Sequence, residues 1–138
     1  MQIRMMESGD YPEIYALWLA CAGMGLNDVD DSEPGFLKFL RRNPDTCFAA
    51  VENGKIVGCI LIGTDGRRAY IYHMAVHLNH RRCGIGSALV KTAMVALERV
   101  GIRKAALVVF SHNEDGNSFW EKMGFTVRED LVYRNRMV

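Results

Sequence analysis

The sequence predicts an α/β (α+β) fold in which helices flank a mixed sheet. The chain has 138 residues, the size of one ordinary domain. Its apolar segments change between strand and helix periodicity in the order β-α-α-β-β-β-α-β-α-β. Hairpin-linked strands and strand–helix–strand crossovers both occur, which indicates antiparallel and parallel pairing in one sheet. Because no linker, repeat or low-complexity segment interrupts this order, we expect one domain over residues 1–138.

The N-terminal part predicts one strand and two helices. Residues 2–6 form a short strand. The first helix begins with Asp10 as its capping residue and ends near Gly23. The second begins after Ser32 and ends at Asn43, because a residue that precedes proline disfavours helical conformation. The expected apolar faces are Ile14, Leu17, Trp18 and Cys21 in the first helix, and Phe36, Leu37, Phe39 and Leu40 in the second.

Three strands follow in the middle of the chain. Residues 46–51 and 55–64 are strand-like, and Asn53-Gly54 between them is a strong signal for a two-residue hairpin. A later Asp-Gly pair marks the next turn, and residues 69–77 form the third strand of the group.

The C-terminal part predicts two helices and two or three strands. Residues 84–100 form a long amphipathic helix, and residues 105–110 are a continuous apolar run typical of a strand buried on both faces. A short helix covers about residues 115–123. Residues 125–137 alternate in polarity, which predicts one or two closing strands. The inward positions of the long helix are Ile85, Leu89, Val90, Ala93, Met94 and Leu97.

Composition excludes several classes of protein. Hydrophobic residues make up 49% and charged residues 24%, which is typical of a globular protein in water. The formal net charge is +1 and the basic residues are dispersed, which argues against a nucleic-acid partner. No apolar run approaches the ~20 residues that span a bilayer, and no signal peptide precedes the first strand. We therefore expect a cytoplasmic protein without a membrane partner.

The cysteines indicate free thiols rather than a metal site. The chain has four, and none forms a Cys-x-x-Cys pair or a Cys/His cluster with zinc spacing. We expect no metal, and we expect most of these thiols to be buried in a reducing compartment.

A glycine-rich turn at residues 80–87 carries the clearest chemistry. It lies between a strand and the long helix, whose first N–H groups and dipole attract anions. Gly84 and Gly86 let a phosphate approach the backbone, and Arg81 and Arg82 add positive charge. Neither a Walker loop nor a dinucleotide fingerprint is present, since Leu89 occupies the third glycine position. These residues alone leave open a plain strand-to-helix turn with solvated arginines.

Two blocks of sequence resemble the GNAT family of N-acetyltransferases. The first is Met74-Ala75-Val76 followed by Arg81-Arg82-Cys83-Gly84-Ile85-Gly86, which matches the family's Arg/Gln-x-x-Gly-x-Gly/Ala signature. The second is Asn113, Gly116, Phe119-Trp120 and Gly124-Phe125. The blocks together cover about the second half of the chain. The resemblance implies a mostly antiparallel sheet that splays at its centre, about four helices, and acetyl-CoA as co-substrate.

The same resemblance implies the cofactor-binding residues. Met74, Ala75 and Val76 would meet the pantetheine arm as if it were an added strand. Asn113 would hydrogen-bond the cofactor from the next strand, and Trp120 would lie near the thioester. The pyrophosphate would be held by Arg81, Arg82, Cys83, Gly84, Ile85, Gly86 and Ser87.

The chain departs from the family's pattern at one of the expected catalytic positions. The family usually has Tyr, as an acid for the leaving sulfur, where this chain has Trp120; indole donates hydrogen bonds but does not release its proton near neutral pH. Candidates for the base on the strand at residues 69–77 are Tyr70, Tyr72 and His73. Strand alternation puts Tyr70 and Tyr72 on one face with Met74, and His73 on the other, unless a bulge changes the parity. Two further candidates are His112 for the base and Tyr133 for the acid.

The expected activity is acetyl transfer from acetyl-CoA to a primary amine of a small molecule or peptide. The alternative is an acyl-CoA-binding module that has lost catalysis, which Trp120 keeps open. The expected partners are acetyl-CoA and the amine acceptor, with a homodimer left open. The acidic segment between the first two helices either favours a cationic acceptor or is a solvated loop; it contains Asp28, Asp30, Asp31 and Glu33.

Overall fold

The computed structural model describes all residues from Met1 to Val138. The chain divides into two compact units, Met1–Val108 and Val109–Val138. The first unit holds the whole sheet and three α-helices, and the second holds the fourth α-helix. No helix is both long enough and apolar enough to cross a membrane.

The first unit is built on a mixed five-stranded sheet, as predicted. The strands follow one another in chain order, with antiparallel pairing at the first three interfaces and parallel pairing at the last. At the Asn53-Gly54 hairpin both residues have positive φ, 51° and 76°, as a two-residue turn of this kind requires. The strands are β1 (Gln2–Met5), β2 (Cys47–Glu52), β3 (Lys55–Thr64), β4 (Ala69–Val76) and β5 (Ala105–Ala106).

The chain has four α-helices, three in the first unit and one in the second, which agrees with the predicted number. They are α1 (Tyr11–Ala20), α2 (Glu33–Arg42), α3 (Ile85–Arg99) and α4 (Glu114–Lys122). Ser32 caps α2 by accepting a hydrogen bond from the Gly35 N–H. Asp10 is the N-cap residue of α1, as predicted, but its side chain makes no capping hydrogen bond to that helix. Its carboxylate accepts from the Glu7 N–H at 2.7 Å and from the Arg4 guanidinium, so it fixes the preceding 3₁₀ turn instead.

The helices of the first unit cover both faces of its sheet. One face packs against α1 and α2, in a core that includes Ile14, Trp18, Phe36, Cys59 and Leu61. The other face packs against α3, as a Cβ added at Gly58 would meet Ile85 and Leu89. All cysteines are free, and only Cys83 is exposed, which agrees with the prediction of mostly buried thiols.

A β-bulge in β4 decides which side chains share a face. The register with β3 shifts between Leu61 and Ile62, so that Leu61 pairs with His73, Ile62 pairs with Ile71, and Tyr72 between them has no partner. An unpaired residue lets two consecutive side chains point to the same side of the sheet. Tyr72 and His73 therefore both lie on the face covered by α1 and α2.

The last two strand predictions fail in part. The strand predicted at residues 105–110 is reduced to β5, which has two residues. The prediction that it is buried on both faces is also wrong, because Val108 and Phe110 are exposed; an apolar run determines neither the backbone to which a strand bonds nor the groups that cover it. The one or two strands predicted at residues 125–137 are wrong. Alternating polarity alone does not provide a partner strand, and this segment has its large apolar side chains exposed, namely Val127, Leu131, Val132, Tyr133 and Met137.

Candidate active site

The edge of β4 is open beside the glycine-rich turn. The His77 N–H donates to the Val57 carbonyl at 2.8 Å, which makes this a hydrogen-bonded antiparallel pair. Since such pairs alternate, the backbone N–H and C=O groups of Met74 and Val76 point away from β3.

No strand covers that edge at its end. β5 pairs with β4 only at Ala69 and Tyr70, so the polar backbone groups further along β4 face away from the sheet without a neighbouring strand. Such an edge can bond to the amides of an extended ligand, which is added as if it were another strand. The open edge is the splay that the sequence resemblance implied.

The glycine-rich turn presents an uncapped helix N-terminus. Gly84 is the N-cap residue of α3 with φ of 82°, where a Cβ would be strained. No side chain caps the helix, and its first turn has no acidic residue. The first hydrogen bond back to the cap runs from the Ala88 N–H to the Gly84 carbonyl at 3.0 Å. The N–H groups of Ile85, Gly86 and Ser87 precede it, so they are the unpaired donors with which a helix binds an anion.

Arg81 connects this turn to the open edge of β4. Its Nε donates to the Val76 carbonyl at 3.0 Å, and the same oxygen accepts from the Cys21 thiol at 3.7 Å. The two terminal nitrogens of the guanidinium donate to no protein group. Arg82, with φ of 62°, and the exposed Cys83 complete the turn. The turn therefore offers one anchored cation and three backbone donors for a phosphate.

His73 is held by a buried carboxylate. Its Nε2 lies 2.8 Å from Asp31 Oδ1, and the two side chains are only 13% and 8% exposed. The ring also packs edge-on against Trp18, with ring centroids 4.9 Å apart. Asp31 comes from the loop between α1 and α2, so this contact joins that loop to the centre of β4.

Tyr72 lies on the same face but is more open. Its side chain is among the exposed large ones, at 56%, and its ring contacts Phe39 and Tyr70 with centroid distances of 5.4 and 4.8 Å. The regular-alternation prediction grouped the tyrosines with Met74 and placed His73 opposite. The bulge reverses this arrangement, because Met74 pairs with Ile60 on the α3 face while His73 joins the tyrosines.

In the second unit, Asn113 has a local role. Its Oδ1 accepts from the Gly116 N–H at 2.9 Å and so caps α4. A Cβ at Gly116 would come within 2.6 Å of the Asn113 side chain. The cap therefore explains why a small residue stands three positions after the asparagine. The Nδ2 of Asn113 donates to no protein group.

Trp120 is a half-buried packing residue within this unit. Its ring contacts Phe119 and Phe125 edge-on, with centroid distances of 5.0 and 5.2 Å. The His112 ring stacks on Phe110 and its side chain makes no hydrogen bond, and Tyr133 is exposed. None of these side chains has a partner that would activate it as an acid or a base.

The residue that sequence reasoning missed is Asp31. The sequence placed it among four acidic residues of a loop, where it looked no different from the others. The structure separates it from them, since Asp31 is 6% exposed whereas Asp28 and Asp30 are solvated. The only signal was its position directly before the helix cap Ser32, which fixes the end of the loop.

Comparisons with known proteins show the family and the fold of this chain. A family model described as "Acetyltransferase (GNAT) family" matches residues 11–125. A curated relative named Acetyltransferase plu1384, from Photorhabdus laumondii, is 31% identical over 140 residues, which cover 100% of this chain and 96% of that protein. Two solved structures have the same fold. The crystal structure of Ard1 from Thermoplasma volcanium has a TM-score of 0.82 at 23% identity and covers 92% of this chain and 83% of that one. The PaiA N-acetyltransferase from Thermoplasma acidophilum, in complex with coenzyme A, has a TM-score of 0.80 at 19% identity and covers 93% and 91%.

Proposed function

Since the chain belongs to the GNAT family of acetyltransferases, we propose that it transfers an acetyl group from acetyl-CoA to a primary amine of a small molecule or peptide. The amine attacks the thioester directly while both substrates are bound. The observation that carries this proposal is the open edge of β4 beside the uncapped N-terminus of α3. An extended arm that ends in a pyrophosphate is complementary to that pair of features.

The residues present fit acetyl-CoA. Met74 has its backbone N–H and C=O free for the amides of the pantetheine arm, and Val76 has its N–H free, since its carbonyl already accepts from Arg81 and Cys21. Ala75 lies between them on the opposite face. The N–H groups at the start of α3 and the free nitrogens of Arg81 are suited to the pyrophosphate. Asn113 has one amide nitrogen available for a further bond. A fold neighbour of known structure is a complex with coenzyme A, which supports the same ligand here.

Starting from an ammonium ion, the reaction removes two protons from the nitrogen, one before the attack and one as the amide forms, and it requires the negative charge on the carbonyl oxygen to be stabilised. The amine nitrogen forms a bond to the acetyl carbon, the C–S bond breaks, and the electron pair remains on sulfur as the thiolate of CoA. A lysine-like ammonium has a pKa of about 10.4, so a base must take its proton near neutral pH. His73 is the base we favour and Tyr72 is the second candidate. The Val76 N–H is the expected donor to the oxyanion.

Trp120 has a packing role in this proposal. The thiolate leaves with the help of water, because a thiol of pKa about 8.5 needs no strong acid. The presence of Trp120 in place of the usual Tyr also favours the second candidate function, a non-catalytic module that binds acyl-CoA. The two functions differ in turnover and not in binding.

We propose that residues 1–138 act as one domain, since the matched family model extends over both compact units. The expected location is the cytoplasm. The expected partners are acetyl-CoA and the acceptor, not nucleic acid or a membrane, and a homodimer remains open to measurement by sedimentation.

A panel of amines, assayed by the release of free thiol from acetyl-CoA, tests the proposal. Polyamines, lysine, aminoglycosides and peptides with free N-termini cover the main acceptor classes. Binding is measured first by thermal shift, because a ligand at 100 times its Kd adds about 2.7 kcal/mol to the free energy of unfolding. A thermal shift without turnover would favour the non-catalytic module. Folded protein that shows no shift at millimolar acetyl-CoA would contradict both functions.

A further inference from the structure

We propose that Asp31 is a positioning residue for His73, holding the imidazole in the tautomer that accepts the proton of the acceptor amine. The inference rests on the proposed function and adds to it a residue outside the family signatures. The pair joins β4 to the loop between α1 and α2, two segments that are 42 residues apart in the chain.

Both oxygens of the Asp31 carboxylate have fixed partners. Oδ1 lies 2.8 Å from His73 Nε2, and Oδ2 accepts from the Asn27 N–H at 2.9 Å. The Tyr11 hydroxyl donates to the Asp31 backbone carbonyl at 2.7 Å, which ties the same residue to α1. A carboxylate held at both oxygens and at its backbone has little freedom to rotate, so the direction of its bond to His73 is fixed.

This geometry selects one tautomer of His73. An ionised carboxylate only accepts hydrogen bonds, so Nε2 must carry the hydrogen that is donated to Asp31. Nδ1 of the neutral ring then has the free lone pair. Nδ1 of His73 makes no hydrogen bond to the protein and is not fully buried, since the side chain keeps 13% of its surface exposed. The imidazole therefore has one nitrogen held and one available.

An available Nδ1 can take the proton of the acceptor. As the amine nitrogen bonds to the acetyl carbon, one N–H proton passes to Nδ1 and the ring becomes an imidazolium. The Asp31 carboxylate faces that positive charge from 2.8 Å, and the proton later leaves to water. The titratable side chain that contacts Asp31 besides His73 is Tyr11 of α1, whose hydroxyl donates to the Asp31 carbonyl. Asp31 contacts no reacting atom, so it acts through His73.

Asp31→Asn tests this arrangement, because an amide cannot satisfy both partners of the carboxylate. If its oxygen accepts from His73, its NH₂ group meets the Asn27 N–H; if it is turned round, its NH₂ group faces Nε2 and favours the Nδ1–H tautomer. We expect kcat to fall at least tenfold while KM for acetyl-CoA stays within twofold of the parent. His73→Gln should lower kcat by about a hundredfold, a typical contribution of a general base. The double variant should be no slower than His73→Gln.

A second measurement does not depend on activity. In protein with ¹⁵N-labelled histidine, assigned with the His73→Gln variant, the imidazole nitrogens of His73 should report Nε2–H, and Asp31→Asn should change that pattern. Asp45→Asn is the control, since Asp45 is an exposed aspartate with no side-chain bond, and it should leave both readouts unchanged.

Each outcome decides the proposal. An Nδ1–H tautomer in the parent protein overturns it even if Asp31→Asn fails to fold. Turnover of a folded Asp31→Asn within threefold of the parent also overturns it, as does an additive double variant, which would indicate a structural role. The parent protein can also show the Nε2–H tautomer and yet turn over no amine. In that case the proposed function fails, and the catalytic role of the Asp31–His73 pair fails with it. The hydrogen bond from His73 to Asp31 would still be confirmed.

Discussion

Gly35→Ala should lower activity without changing any side chain of the site. Gly35 lies in the first turn of α2, directly against the loop that carries Asp31. A Cβ at this position would overlap the backbone carbonyl oxygens of Val29 and Asp30, and it would lie 2.8 Å from the carbonyl carbon of Asp30. Ordinary contacts of a Cβ begin near 3.4 Å, so the loop has to move by more than half an ångström.

The consequence for the site follows from the length of one bond. The 2.8 Å contact between His73 Nε2 and Asp31 Oδ1, lengthened by that amount, approaches the limit of a useful hydrogen bond. A displacement of about 1 Å at a catalytic group can cost a hundredfold in rate, so we expect kcat to fall roughly ten- to hundredfold. The strain should exceed the better helix propensity of alanine. We expect a net loss of about 1–2 kcal/mol, or roughly 3–7 °C in Tm.

Thiol release measures kcat for this variant and circular dichroism measures its Tm. Gly9→Ala is the matched control, because a Cβ at Gly9 has no atom within 4 Å, and it should behave as the parent does. If Gly35→Ala retains the kcat and Tm of the parent, then either the loop tolerates the overlap or it does not position Asp31. Either result refutes the prediction that this close contact fixes the Asp31–His73 bond.

Three further predictions concern the cofactor side. Gly86→Glu should abolish the thermal shift by acetyl-CoA, because it places a carboxylate and a side chain where the phosphate approaches. Cys83 should be the one thiol that iodoacetamide modifies rapidly in the folded protein at pH 8, and CoA should slow the reaction. Burial raises the pKa of Cys47 to about 11 and that of Cys59 to about 12, so these two thiols should stay unmodified. Trp120→Phe should lower kcat less than about tenfold, or 1.4 kcal/mol of barrier, if the indole only packs.

Each of these has its own control and a contrary result. Lys91→Glu is the control for Gly86→Glu; it puts a carboxylate at an exposed position further along α3 and should leave acetyl-CoA binding intact. If folded Gly86→Glu binds acetyl-CoA normally, the phosphate site lies elsewhere. Cys83→Ser should remove the rapid alkylation, and a rate unaffected by CoA would separate the thiol from the ligand. A hundredfold loss in Trp120→Phe, with unchanged stability and affinity for acetyl-CoA, would show that the indole acts on the reacting centre.

Local patterns predicted most of the fold, because the interactions that decide those elements are close in sequence. The Asn53-Gly54 hairpin, the Ser32 cap and the amphipathic α3 depend on backbone conformation and on side chains within one turn. The closing strands at residues 125–137 failed for the opposite reason. A strand forms only where another strand pairs with its backbone. The periodicity of a segment gives no information about that partner strand.

The parts of the candidate site that consist of backbone groups in a local turn could be predicted from the sequence. The parts that depend on how β4 pairs with β3 could not. The glycines and arginines of the turn predict an anion site but fit a plain strand-to-helix turn equally well, and the structure adds an uncapped helix N-terminus at that place. No residue of β4 predicts the position of the bulge at Tyr72. The bulge nevertheless places His73 on the same face of the sheet as the tyrosines. The contact of His73 with Asp31 then depends on how a loop folds over that face, 42 residues away along the chain.

The bond from Arg81 to Val76 has a thermodynamic consequence for ligand capture. A free arginine loses about 0.5–1.5 kcal/mol of rotamer freedom when a ligand immobilises it, but Arg81 is already restrained by its Nε. Its contribution to phosphate binding should therefore appear in calorimetry with a small entropic penalty. Lysine at this position would keep the charge but would have no second nitrogen with which to hold the Val76 carbonyl. The Arg81→Lys variant should therefore bind phosphate more weakly for an entropic reason. The difference in affinity should persist at high ionic strength, because salt screens the charges of both side chains equally.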